Sequence, residues 1–228
     1  MDIVLIAGLW LPASVWDAVV TELDALGHRG LPVPLPGVDD GSRTATLDDQ
    51  LDAVLAVVDA THRPLVVGHS AAAGLAWLVA DRRPADVAGV VLLGGFPAED
   101  GTTYADVFPV EDGVVPFPGW DPFEGPDAAD LDAAARQHLA GLAHPVPEGV
   151  TRATVHLTDE RRHTVPVTLV CPEFTPEQAR ALVSGGDLPE LARAEHLSYV
   201  DVDSGHWPMT SAPSALARAL DDAVPTGR

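Results

Sequence analysis

The sequence has no lysine, a single cysteine and no long apolar run, and each absence excludes a class of protein. Cys171 alone cannot form an internal disulfide. The nine histidines show no paired ligand spacing, so we expect neither a metal nor a cofactor. Without a run of about 18 apolar residues, no transmembrane helix is expected. The first residues lack the basic region and cleavage site of a signal peptide, which predicts a cytoplasmic protein.

The net charge is −21, and all thirteen basic residues are arginines. Such a surface repels phosphate backbones and anionic lipids, so we expect neither nucleic acid nor a membrane as partner. The charge could steer cationic substrates, or could reflect a compositional bias toward Ala, Asp and Arg together with solubility. It identifies no ligand, and the sequence gives no sign of an oligomeric state.

Short, continuously apolar segments alternate with segments of helical periodicity along most of the chain. Continuous apolarity is typical of strands that are buried on both faces. The pattern predicts an α/β fold, with a mostly parallel central sheet and helices on both faces, in a single domain over residues 1–228. The apolar segments are residues 3–7, 65–67, 87–93, 165–171 and 197–202, and the helical ones are 14–26, 46–58, 71–81, 176–183, 188–194 and 212–224.

Between about residues 96 and 163 this alternation is interrupted. The stretch is rich in Pro, Gly and Asp and holds several aromatic residues, with one helix predicted from Asp127 to about Ala140. Long insertions between sheet strands are usually functional. We interpret this one as a cap over the carboxyl edge of the sheet.

Ser70 lies in a strand–turn–helix context. The segment Val66-Val67-Gly68-His69-Ser70-Ala71-Ala72 runs from an apolar strand through small residues into an alanine-rich helix. A strained turn of this kind exposes a nucleophilic hydroxyl at the sheet edge, although a serine before a helix can also be an ordinary cap. The usual pattern has glycine where this chain has Ala72. Ser70 is the predicted nucleophile.

His206 is the predicted general base. It follows the last predicted strand in the loop Asp203-Ser204-Gly205-His206-Trp207, and the carboxyl ends of parallel strands share one edge of the sheet. It should therefore lie near Ser70.

Together these motifs resemble the α/β-hydrolase superfamily, particularly small bacterial esterases and the plant methylesterases and hydroxynitrile lyases. The resemblance rests on Ala7-Gly8-Leu9-Trp10 with Trp16, on Gly68-His69-Ser70 and on Gly205-His206-Trp207. The His-Gly pair that usually follows the first strand is reduced here to Ala7-Gly8. The resemblance spans nearly the whole chain outside the cap.

The resemblance implies further site residues. The backbone N–H groups of Leu9 and Ala71 would bind the oxyanion. The triad acid usually follows the strand before the last one, where Glu173 is the first carboxylate. Some hydrolases place it one strand earlier, at Glu99 or Asp100 here, and Glu173 could instead be a solvated turn residue. Aromatic walls for a small apolar pocket are predicted from Trp10, Phe96, Trp120 and Trp207, with core packing as the alternative for each.

These residues predict a serine carboxylesterase or lactonase whose partner is a small-molecule ester or lactone. Hydroxynitrile lyases of the plant type use a cap lysine, which this chain lacks. A cofactor-free haloperoxidase-like or C–C bond hydrolase could use the same triad. A ligand-binding, receptor-like protein on a hydrolase scaffold is the alternative from a different class.

Overall fold

The computed structural model describes residues 1–225, and their centre is a six-stranded sheet in which all neighbouring strands are parallel. The strand order is β2-β1-β3-β4-β7-β8, and β5 and β6 form a separate antiparallel pair. The parallel α/β architecture predicted from the sequence is confirmed. The strands are β1 (Asp2–Ile6), β2 (Arg29–Pro32), β3 (Leu65–His69), β4 (Gly89–Leu93), β5 (Val114–Val115), β6 (Val146–Pro147), β7 (Val167–Cys171) and β8 (Leu197–Asp201).

Helices cover both faces of the sheet. Since side chains alternate along a strand, Ile3 and Leu5 of β1 belong to one apolar core, and Val4 and Ile6 to the other. Helices α1 and α9 bury apolar residues in the first core, and α2, α3, α6 and α7 in the second. The helices are α1 (Asp17–Ala25), α2 (Leu47–Asp59), α3 (Ala72–Arg82), α4 (Ala133–Leu142), α5 (Glu148–Thr151), α6 (Pro176–Gly185), α7 (Pro189–Ala192), α8 (Pro208–Ser211) and α9 (Pro213–Asp222).

The cap segment, residues 96–163, contains β5, β6, α4 and α5 between strands β4 and β7. Its main helix differs from the sequence prediction, since α4 starts at Ala133 and not at Asp127. The Asp132 side chain accepts a hydrogen bond from the Ala135 amide and so fixes the helix start, while residues 127–132 form turns and irregular backbone.

The cap segment is hydrogen-bonded to loops at the carboxyl ends of β1 and β8. After β1, the Trp10 carbonyl accepts from the His144 amide at 2.8 Å, and the Trp10 indole donates to the Val115 carbonyl at 3.1 Å. After β8, the Gly205 amide donates to the Asp130 carboxylate at 2.7 Å. These bonds attach the segment to two of the loops at the carboxyl edge of the sheet. The single domain with a cap stays a prediction, and residues 226–228 of that predicted domain lie outside the described residues. Within residues 1–225, no helix has the length and apolarity needed to cross a membrane.

Candidate active site

Ser70 lies in the turn between β3 and α3 with a φ of 55°, a left-handed conformation that is unfavourable for a residue with a Cβ. The turn is tightly packed. A Cβ on Gly68 would overlap the Ala72 carbonyl, and a Cβ on Gly95 would overlap the carbonyl of Ser70 itself. Ala72, where the usual pattern has glycine, is fully buried. The strain and the close backbone contacts match the geometry expected of a nucleophile elbow.

His206 and Glu173 form a hydrogen-bonded pair. Nδ1 of His206 lies 2.7 Å from Oε1 of Glu173, and each side chain is 13 % exposed. Because an ionised carboxylate only accepts hydrogen bonds, Nδ1 donates to Oε1, and in the tautomer with this bond the lone pair is on Nε2. His206 borders the same cavity as Ser70.

The loop that carries Glu173 is short. Strand β7 ends at Cys171, and Thr175 already caps α6 through a reciprocal pair of hydrogen bonds with Gln178. The other two candidate acids, Glu99 and Asp100, are exposed, and Asp100 accepts a hydrogen bond from the Leu157 amide within the cap segment. Of the three carboxylates, Glu173 is the one that the structure pairs with His206.

Gly94, at the end of β4, leaves space for this pair. It has a φ of 57°, and a Cβ there would lie 3.3 Å from both Nδ1 of His206 and Oε2 of Glu173. A side chain at this position would be strained and would also press on both groups.

His69 connects the nucleophile turn to the loop that carries His206. Its Nε2 donates to the His206 carbonyl at 2.8 Å, and its ring is almost completely buried. Burial, with a smaller contribution from the neighbouring His206, lowers the pKa of His69 to about 3. His69 therefore stays neutral at neutral pH and acts as a fixed hydrogen-bond donor.

Leu9 and Ala71 are among the residues that line the cavity, and within residues 1–225 the amide of neither donates a hydrogen bond to another protein group. The Leu9 loop packs against the nucleophile turn, since a Cβ on Gly8 would lie 3.0 Å from Cβ of Ser70. The next residue, Trp10, has a φ of 70° and is fixed by its hydrogen bonds to the cap segment. Two unpaired N–H groups beside a serine hydroxyl suit the binding of a negatively charged oxygen.

The cavity above Ser70 has a volume of about 290 Å³ and is mainly apolar. Three of the four predicted wall residues, Trp10, Phe96 and Trp207, line it. The prediction for Trp120 is wrong: it lines a smaller neighbouring void and packs edge-on against Trp207 with ring centroids 5.1 Å apart. The remaining walls include residues that the sequence did not single out, namely Tyr104, Ala105, Val107, Phe108 and Phe123.

Two aspartates of the cap segment support the His206 loop and were missed by the sequence analysis. The Asp127 carbonyl accepts from the His206 amide at 2.7 Å, and the Asp130 carboxylate binds the amide of Gly205. Burial raises the pKa of the Asp127 carboxyl. The His206 ring offsets part of this rise, and the Glu173 carboxylate adds to it. No sequence signal separates these two aspartates from the many acidic residues around them.

A family model described as "Alpha/beta hydrolase family" matches residues 3–219. The chain belongs to the α/β-hydrolase family. The match includes the four loops that carry the candidate site, after β1, β3, β7 and β8, and the cap segment between β4 and β7. This α/β-hydrolase is thus an enzyme of the hydrolase type. No curated protein sequence matches the chain.

Several solved structures resemble this α/β-hydrolase over almost its whole length, although their identities below 25 % show the fold alone. An extracellular α/β-hydrolase from a Paenibacillus species, described as sharing structural and functional homology with tobacco salicylic acid binding protein 2, is 19 % identical with a TM-score of 0.80, covering 99 % of both chains. A methylesterase from Arabidopsis is 18 % identical with a TM-score of 0.74, covering 98 % of both. A pyrethroid hydrolase from Sphingobium faniae is 21 % identical with a TM-score of 0.70, covering 99 % of this chain and 98 % of its own.

Proposed function

We propose that this α/β-hydrolase is a serine carboxylic ester hydrolase that acts on small apolar esters or lactones through an acyl-enzyme. Ser70 is the nucleophile, His206 the general base and acid, and Glu173 the carboxylate that orients His206. The observation that carries the proposal is the 2.7 Å contact between His206 and Glu173, in a pair that shares one cavity with the strained Ser70.

In the first step, the Ser70 hydroxyl oxygen attacks the carbonyl carbon of the ester while Nε2 of His206 takes the hydroxyl proton. The imidazolium that results keeps its Nδ1 proton and donates a hydrogen bond to Oε1 of Glu173, whose negative charge stabilises it. The former carbonyl oxygen becomes an oxyanion and accepts hydrogen bonds from the Leu9 and Ala71 amides. Both amides are held by backbone packing, so little rearrangement is needed as the charge develops.

The tetrahedral intermediate then collapses. The bond between the carbonyl carbon and the leaving oxygen breaks, and this oxygen takes the proton from Nε2 of His206 and departs as the alcohol. Water attacks the acyl-Ser70 ester after losing a proton to the same nitrogen. Collapse of the second intermediate returns the proton to the Ser70 oxygen and releases the carboxylic acid. The cycle consumes one ester and one water and needs no cofactor.

The cavity suggests neutral substrates. Its polar side chains are Ser70, His206, His69 and Tyr104, and no Asp, Glu or Arg is among the described residues that line it. Moving a charged acyl group from water into this cavity, where no ion pair would compensate its charge, would cost several kcal/mol by order of magnitude. Neutral aliphatic or aromatic esters fit both the volume and the walls. The low-identity ester hydrolases of the same fold are consistent with this class.

Labelling and mutation of Ser70 test the proposal. A fluorophosphonate should add once, to the peptide that contains Ser70, because this serine shares its cavity with His206 and with the residues of the two unbonded amides, Leu9 and Ala71. Ser70→Ala should lose about 10⁴-fold or more in kcat on a p-nitrophenyl ester, since it removes the nucleophile. Intact-protein mass spectrometry and the release of p-nitrophenol measure the two effects.

Ser184→Ala is the matched control, since Ser184 lies on helix α6 and bonds only to backbone carbonyls of that helix. It should keep both labelling and turnover. Stoichiometric labelling without repeated turnover on any ester or lactone would favour a receptor-like binding protein. Labelling at another residue, with activity intact in Ser70→Ala, would reject the assignment.

A further inference from the structure

Tyr104 is a polar residue of the cavity to which the proposed reaction assigns no task. In the proposed reaction Ser70 and His206 carry out the chemistry, and His69 Nε2 already donates its hydrogen bond to the His206 carbonyl. The Tyr104 hydroxyl has no hydrogen-bond partner among the protein groups of residues 1–225. Tyr104 also lines the same cavity as Ser70. A free phenol among apolar walls is a group that a ligand can satisfy.

The fold holds the Tyr104 ring in one place. Its amide donates to the Ala153 carbonyl at 2.9 Å, and the next amide, that of Ala105, donates to the Thr151 carbonyl at 3.0 Å. The ring lies against Gly74 on α3, where a Cβ would come within 2.8 Å of Cε2. The glycine on the helix that follows Ser70 thus makes room for the ring. A hydroxyl fixed before binding loses little entropy when it pairs with a ligand.

The phenol is also kept in its donor form. The ring is partly buried in protein and lines the cavity, and this burial raises the pKa of Tyr104. At neutral pH the group is therefore an uncharged O–H donor. Its natural partner in an apolar, charge-free cavity is an uncharged oxygen, since a carboxylate would have to be buried without a counter-ion.

We propose that Tyr104 determines specificity by donating a hydrogen bond to a neutral oxygen of the substrate that is separate from the reacting carbonyl. The preferred substrates are then small esters or lactones that carry an ether, hydroxyl or second carbonyl oxygen, and not plain hydrocarbon esters. This inference rests on the proposed ester hydrolase function and names the substrate class of the same site. It assigns Tyr104 to recognition, with no part in bond making.

Paired substrates test this role. Each pair consists of a p-nitrophenyl alkanoate and the ester in which one methylene of the acyl chain is replaced by an ether oxygen, with the oxygen moved along the chain from pair to pair. A second series compares ethylphenyl with methoxyphenyl acetates. The quantity measured is the ratio of kcat/KM within each pair. Comparing this ratio between wild type and Tyr104→Phe cancels the intrinsic reactivity of the two esters.

Tyr104→Phe should lower the ratio roughly 3- to 10-fold for at least one oxygen position, as expected for the loss of one neutral hydrogen bond. The phenyl ring still fills the space beside Gly74, so the cavity keeps its shape. Tyr199→Phe is the matched control. It changes the chain's other tyrosine, on edge strand β8 beneath Arg180, and should leave every ratio unchanged.

Binding of matched non-hydrolysable ketones gives a readout that does not depend on turnover. An oxa-ketone and its alkyl analogue can be titrated by quenching of tryptophan fluorescence, since Trp10 and Trp207 line the cavity. The wild type should prefer the oxa-ketone, and Tyr104→Phe should lose this preference. If turnover and labelling fail but the binding preference depends on Tyr104, the hydrolase proposal fails and the recognition role survives. If the kcat/KM ratios and the binding preferences are the same in wild type and Tyr104→Phe for every oxygen position, the recognition role of Tyr104 is wrong.

Discussion

Glu173 acts on His206 through a single oxygen. Oε1 lies 2.7 Å from Nδ1, while Oε2 is buried without a partner among the described residues. In the proposed mechanism, this hydrogen bond fixes the tautomer in which Nε2 can accept a proton, and the nearby negative charge stabilises the imidazolium that forms in the transition state. Both effects require a carboxylate and not merely a hydrogen-bond acceptor.

Glu173→Gln should therefore lower kcat roughly 10²- to 10⁴-fold while the protein stays folded. The amide can still occupy the space, but it offers no charge and can present its NH₂ group to Nδ1. Steady-state hydrolysis of a p-nitrophenyl ester and thermal unfolding measure activity and stability.

Glu99→Gln and Asp100→Asn, on the exposed turn after β4, are the matched controls and should keep near-normal turnover. Glu173→Asp keeps the charge on a side chain one methylene shorter, so it should recover part of the lost rate. Normal turnover in Glu173→Gln together with loss in Glu99→Gln or Asp100→Asn would show that the acid lies after β4.

At the scale of elements, the position of His206 depends on hydrogen bonds that connect its loop to β3 and to the cap segment. His69 is the last residue of β3, and its ring bonds to the carbonyl of His206 in the loop after β8. The cap segment binds the same loop through the Asp127 carbonyl and the Asp130 carboxylate. The base is thus held from the nucleophile turn on one side and from the cap on the other, which fixes its position before substrate arrives.

The burial of His69 predicts a pH dependence of stability. The pKa of His69 is about 3 in the folded protein against 6.5 as its ordinary value, so between these values the unfolded chain binds the proton and the folded protein does not. The free energy of unfolding therefore falls as the pH drops below about 6.5. At pH 5 this single group should account for a loss of about 2 kcal/mol relative to neutral pH.

Urea unfolding of wild type and His69→Gln at pH 7 and pH 5 measures this contribution. The variant, which has no titrating ring, should lose about 2 kcal/mol less than wild type over that interval. His62→Gln, at an exposed position, is the control and should lose as much as wild type. An equal loss in wild type and His69→Gln would show that the His69 ring takes up its proton as readily in the folded protein as in the unfolded chain.

The sequence predicted strand-end residues better than cap residues, for a physical reason. Parallel strands place their carboxyl ends at one edge, so the order of strands predicted that Ser70 and His206 lie near each other. Glu173 followed from the resemblance, with Glu99 and Asp100 as alternatives. Trp120 and the start of α4 depend on tertiary packing in a segment without regular periodicity. Tyr104 shows the same limit, because its position follows from the space beside Gly74 and not from any local pattern.

At the scale of the whole molecule, a parallel sheet buried on both faces supplies a rigid base, and the cap segment encloses the cavity above it. The net charge of −21 is carried outside this cavity, whose described walls hold no Asp, Glu or Arg. Substrate selection by the enclosed site is therefore separated from the acidic surface. In the proposed mechanism, the chemistry takes place at Ser70 in a mainly apolar space.

The central claim is that Ser70 forms a covalent acyl-enzyme, and pre-steady-state hydrolysis of a p-nitrophenyl ester followed by acid quenching and peptide mass spectrometry tests it most directly. If deacylation is made slow by a bulky acyl group such as pivaloyl, p-nitrophenol should appear in a burst of one equivalent per enzyme. The quenched protein should carry one acyl group on the peptide that contains Ser70. An acyl group on a different residue, or multiple turnovers with no covalent adduct at any time, would contradict the account.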